Sequence, residues 1–137
     1  MPVEIEVSFR QTGPSTTEAS IRSHAVVVDR PESKGGADQG PMGGELLLAG
    51  LGGCFLSNLL AAARARETPL SDVRAQVTGT LDGTPPRFTA MTIALEATAD
   101  PDQIQKLAAI AEKGCIVANT IRPAVALTIT VQGASAA

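Results

Sequence analysis

The stretch ELLLAGLGGCFLSNLLAAARAR, residues 45–66, limits what this chain can become more than any other. It carries Leu at 46, 47, 48, 51, 56, 59 and 60, Ala at 49, 61, 62, 63 and 65, and no Pro. Its 22 residues, at ~1.5 Å each, predict a helical rod of roughly 33 Å. A helix apolar around most of its girth is expected to be buried on most sides. Arg64 and Arg66 suit its C-terminal end, and Pro69 blocks continuation. Gly50, Gly52, Gly53, Ser57 and Asn58 interrupt the run, which opens and closes on charges, so no membrane span is expected.

Around this helix the chain reads as a single α+β domain, residues 1–137, with mostly antiparallel pairing. VEIEVSF near the start alternates apolar and polar residues, the mark of a half-buried strand. TGPSTT, residues 12–17, is a turn, and residues 18–29 are extended. Residues 30–44 hold five Gly and two Pro and read as a long loop. Residues 73–81 and 88–99 alternate and are joined by a short turn, a hairpin pattern. In DPDQIQKLAAIAEKG, Asp100 is the expected helix N-cap, Pro101 the first helical residue and Gln103 the capping-box partner. CIVANTIRP reads equally as helix or irregular chain. Residues 124–131 form a last strand, with a loose tail after it.

Composition narrows the function classes. Three Phe, no Trp and no Tyr leave a core of Val, Ile, Leu and Ala; so small a core invites a partner to bury more surface. The net charge of −3 and the scarcity of aromatics argue against nucleic acid. The N-terminus lacks the basic-then-apolar pattern of a secretory signal, so the cytoplasm is the expected compartment. One His and two Cys, widely spaced, make no zinc site. The Gly-rich loop lacks the Gly-Lys-Ser/Thr ending of a P-loop, and GLGG follows a loop where a dinucleotide fingerprint follows a strand.

The two cysteines remain. Cys54 lies inside the long helix and Cys115 lies 61 positions later, after the second helix. A peroxide-reducing thiol must be a thiolate, needs a donor or positive charge beside it, and needs a second thiol to attack its sulfenic acid. On a helix, Gly50, Ser57 and Asn58 lie around Cys54, and Gly50 leaves room for a substrate or another backbone. From spacing alone a packed core Cys is the better reading, since buried Cys behaves as a small hydrophobe.

GGADQGPMGGELLLAGLGGC, AEKGCIVANT near the end, and RSHAVVVDRP before the loop change that balance. Together they resemble the OsmC/Ohr family of thiol peroxidases, in particular its smaller OsmC-like members, and the resemblance covers nearly the whole chain. It implies an OsmC-like α+β fold: an antiparallel sheet, a long buried central helix and an intertwined homodimer with sites at the subunit interface. It implies a peroxidatic Cys54 and a resolving Cys115, organic hydroperoxides as substrates (hydrogen peroxide for some members), an external dithiol reductant, and no metal or bound cofactor. The family also sets an Arg and a Glu beside the thiol. Arg22 is the chosen Arg, with Arg10 and Arg30 as alternatives; His24 is assigned packing. The acid nearest the family position is Glu45, one residue late. On a regular helix it stands roughly 13 Å from Cys54 along the axis, and a plain role at the helix N-terminus is equally open. Two other readings on this fold are a non-enzymatic binder of small apolar ligands and a thiol redox sensor.

Overall fold

The computed structural model describes residues 1–135. The chain divides into two compact units, Met1–Leu47 and Leu48–Ala137.

The first unit is a three-stranded antiparallel sheet, β1 (Ser8–Gln11), β2 (Thr17–Ile21) and β3 (His24–Val28), in that order. Residues 18–29 are therefore a hairpin and a loop start, not one extended run. The fold-back comes at Arg22, whose φ of 55° lies in the left-handed region and lets Ile21 pair with His24. The strand expected over VEIEVSF begins only at Ser8. Val3 and Ile5 alternate as a strand should but are 84% and 83% exposed.

The Gly-rich loop is organised by a buried carboxylate. Asp29 is 3% exposed. Its Oδ1 accepts from the Arg30 and Ala37 amides, and its Oδ2 accepts from the Thr16 hydroxyl at 2.8 Å and the Gln39 amide. Burial pushes this carboxyl up, but the Arg30 amide, the Thr16 and Ser15 hydroxyls and the Gln39 amide outweigh it and hold it well below the usual range. A short 3₁₀ turn (Glu32–Lys34) sits inside the loop.

The long helix, α1 (Gly43–Ala65), begins two residues earlier than expected because Glu45 caps it: its Oε1 accepts from the Met42 amide at 2.8 Å. Its burial is one-sided. Leu51, Gly52, Phe55, Leu59, Ala62 and Ala63 face the core, while Leu60 on the opposite side is 48% exposed, so one chain does not cover the helix on most sides. Length and hydropathy would let α1 cross a membrane, but Leu51, Phe55 and Leu59 are fully buried in the core, as in a core helix.

The second unit holds β4 (Ser71–Asp82), β5 (Arg87–Thr98), α2 (Pro101–Lys113), α3 (Ile116–Ile121) and β6 (Ala126–Ser135). β5 is central, antiparallel to β4 and parallel to β6. Mostly antiparallel pairing thus holds except for this last pair. A parallel neighbour needs a long crossover, which α2 and α3 supply. Met91, Ile93, Leu95, Ala97 and Ala99 alternate into the core against α1 and α2. On the other face Thr78, Thr92 and Thr128 stand side by side and exposed. Asp100 caps α2 by accepting from the Gln103 amide at 3.0 Å, with Pro101 at the first turn. CIVANTIRP resolves into α3, and β6 takes in residues 132–135 of the tail; Ala136 and Ala137 lie outside the described residues.

Candidate active site

The second helix stops where its sequence hands over to a cysteine. α2 ends at Lys113 and Gly114 turns the chain. Cys115 then takes extended backbone geometry as the N-cap of α3 (φ −78°, ψ 111°), and its Sγ accepts from the Ala118 amide at 3.4 Å. Sulfur here does what a Ser or Asp oxygen does at most helix starts. The corner leaves the Ile116 and Val117 amides free to point outward, since the first amides of a helix have no partner within it.

Cys54 lies beside this corner. The thiol stands on the half-buried flank of α1, and the amides of Val117 and Ile116 and the thiol of Cys115 lie close enough to donate to its sulfur. Burial pushes the Cys54 thiol up; the Val117 amide, the Cys115 thiol and the Ile116 amide together bring it below its ordinary value. Cys115 goes the other way. It is fully buried, burial raises it, and proximity to a Cys54 thiolate raises it further, against the pull of the Ala118 and Val117 amides. The pair therefore ionises in order: Cys54 loses its proton first and Cys115 keeps one to donate. Neither is in a disulfide.

The glycines around Cys54 divide by role. A Cβ on Gly52 would stand 2.9 Å from Val77 Cγ2, so this glycine lets α1 press on β4. Gly50 and Gly53 have nothing within 4 Å of such a Cβ and leave open space on the outer side of the helix.

The two cysteines, 61 positions apart in sequence, are thus brought together. Arg22 and Glu45 belong to the first unit. Arg22 is exposed in the β2–β3 turn rather than in a strand, and Glu45 is engaged in capping α1. Arg10 pairs with Glu18 across β1 and β2 at 3.5 Å, Arg30 lends its amide to Asp29, and His24 is exposed. Two features escaped sequence reasoning. The amides of Ile116 and Val117 are backbone and leave no side-chain signature, although a Gly-Cys pair directly after an amphipathic helix is where a new helix start can be sought. Asp29 was legible only as the polar end of an apolar run before a Gly-rich loop.

Comparison with known proteins agrees with this architecture. The family model described as OsmC-like protein matches residues 35–130. Among solved structures, an OsmC-like protein from Mycoplasma pneumoniae has a TM-score of 0.83 at 19% identity, covering 98% of this chain and 99% of that one. An organic hydroperoxide resistance protein OsmC from Legionella pneumophila has a TM-score of 0.68 at 22% identity, covering 98% and 99%. An organic hydroperoxide resistance protein from Elizabethkingia anophelis has a TM-score of 0.69 at 19% identity, covering 96% and 100%. At these identities the likeness is one of fold. No curated protein matches the chain significantly in sequence.

Proposed function

The chain belongs to the OsmC-like protein family, and from that premise we propose that it is a thiol-dependent peroxidase reducing organic hydroperoxides through Cys54 and Cys115. The observation that carries the reading is that α1 and the start of α3 bring two free thiols together, half-buried Cys54 beside fully buried Cys115, with the surroundings favouring ionisation of Cys54 before Cys115.

The chemistry follows that order. The Cys54 thiolate attacks one peroxide oxygen, the O–O bond breaks, and the alkoxide takes a proton and leaves as the alcohol. Sulfur is oxidised by two electrons to the sulfenic acid and the peroxide is reduced by two. The negative charge on Cys54 is then gone, and with it one of the influences that held the Cys115 proton. Cys115 loses that proton more readily and its sulfur attacks Cys54. Hydroxide leaves from Cys54, is protonated to water, and a disulfide remains. An external dithiol reduces the disulfide by exchange. No metal or bound cofactor has a part in these steps, and a reducing compartment such as the cytoplasm suits them.

The test is steady-state consumption of cumene hydroperoxide with a dithiol reductant. Wild type is expected to turn over many times and Cys54→Ser not at all; Cys115→Ser, given hydroperoxide without the dithiol, is expected to stop at a trappable sulfenic acid. A wild type with reduced thiols that oxidises once and persists is a sensor; one that reacts with no hydroperoxide is not a peroxidase of this class. Arg22→Ala and Glu45→Gln belong in the same assay. A group that assists the thiol changes kcat/KM, whereas Glu45 acting only as a helix cap changes Tm alone.

A further inference from the structure

The last four carbonyls of a helix have no partner within it, so each must be accounted for. In α2, Ile110 O accepts from the Gly114 amide, Glu112 O from the Cys115 amide, and Lys113 O from the Asn119 side chain at 3.1 Å. The fourth, Ala111 O, is met from another element: Asn58 Nδ2 donates to it at 3.3 Å across 53 residues of sequence. Asn58 lies one helical turn beyond Cys54 on α1, and Ala111 lies one turn before Cys115. A Cβ on Gly114 would stand 3.4 Å from this same Nδ2, which places the Asn58 amide directly against the corner. The contacts close a ring, running from Cys54 to Asn58 along α1, to Ala111 by hydrogen bond, to Cys115 along the chain, and back to Cys54 through the thiols. The other side-chain ties of this corner, Arg122 to Glu112 at 3.0 Å and Asn119 to Lys113 O, join α3 to α2 and not to α1.

We propose that Asn58 is a positioning residue of the two-thiol site, holding the Cys54 turn of α1 in the register at which the α2–α3 corner presents Cys115 and the Ile116 and Val117 amides to it. This rests on the reading of Cys54 and Cys115 as a reactive pair, and it adds the side chain that fixes their separation. Asn58 acts through the corner, by its hydrogen bond to Ala111 O.

The experiment uses the full chain and no hydroperoxide. The first readout is the equilibrium with oxidised dithiothreitol, in which two protein thiols become a disulfide as one disulfide is reduced. The second is the pH profile of Cys54 alkylation by iodoacetamide. Asn58→Leu keeps the branched heavy-atom skeleton and removes the donor; Asn58→Ala is the smaller companion; Val131→Ala, partly buried on β6 and paired with Leu95, is the packing control. Both Asn58 variants are expected to lower the disulfide formation constant about fivefold, the worth of one net hydrogen bond, and to move the alkylation inflection up. Val131→Ala is expected to lower Tm and leave both readouts unchanged. Wild-type values in a folded Asn58 variant would overturn the proposal. So would an equal shift in Val131→Ala, or failure of both Asn58 variants to fold while the control folds, since Asn58 would then serve general stability. A protein without peroxidase turnover still answers these measurements, so the two failures are separable.

Discussion

At the residue scale, the division between the thiols comes from a helix start rather than from a charged side chain. Cys54 is lowered by donors that include backbone amides at the start of α3 and the thiol of Cys115. Cys115 caps α3 through the Ala118 amide and lies beside Cys54, where its thiol favours the Cys54 thiolate. Removing its sulfur has a consequence for each. Cys115→Ala is expected to lower stability by about 1 kcal/mol through the lost cap, read by chemical denaturation. It is also expected to raise the inflection of Cys54 alkylation, because a donor to the thiolate is gone. The sign follows from the direction of the shift: in wild type the alkylation rate should rise through an inflection below the ordinary thiol value of about 8.5, and the variant should need a higher pH for the same rate. An unchanged inflection would assign the lowering to the Ile116 and Val117 amides alone.

At the element scale, α1 is held to the sheet by a missing side chain. With Val77 Cγ2 2.9 Å from where a Cβ would stand on Gly52, Gly52→Ala sets a helix-propensity gain of about 1 kcal/mol against overpacking of about 1–3 kcal/mol. A net loss of about 1 kcal/mol is expected. In the double variant Gly52→Ala/Val77→Ala the loss should fall short of the sum of the single losses, since the two groups touch. Additive losses in a double-mutant cycle would show that the contact relaxes freely. Elements of this kind were the legible part of the sequence. The period of residues 88–99 gave β5 and its buried side, and Asp100-Pro101 marked the start of α2. The apolar run gave α1 to within two residues at its start. What stayed hidden depends on partners distant in sequence. The parallel β5–β6 pairing has no local code, and the meeting of Cys54 with Cys115 depends on where α2 stops. Arg22 lies in a hairpin turn that neither Gly nor Asn announces. For the candidate site, the two thiols were legible through resemblance, while the amides and Asn58 that arrange them were not.

At the scale of the whole molecule, the surface of one chain is unfinished. Helix positions three and four apart share a face, and on α1 Gly50, Gly53, Ser57 and Leu60 form one that looks away from Leu51, Phe55 and Leu59. Leu60 is 48% exposed, and Gly50 and Gly53 have open space beside them. Val3 and Ile5, in the first unit, keep a strand's alternation while both stay exposed. A second copy of the chain is the covering we propose, as the family resemblance implies. A twofold dimer uses the same patch twice, so a single substitution acts twice. Fully burying one Leu is worth about 1.5–3 kcal/mol, and about half of that remains for Leu60, 48% exposed in one chain; acting twice, Leu60→Glu should weaken association by about 1.5–3 kcal/mol, or about 10–10²-fold in Kd. Sedimentation velocity of wild type is expected to give two chains per particle, and Leu60→Glu one chain with its helical circular dichroism retained. A monomeric wild type at micromolar concentration would remove the dimer. The Cys54–Cys115 contact, made within one chain, would then have to support turnover alone.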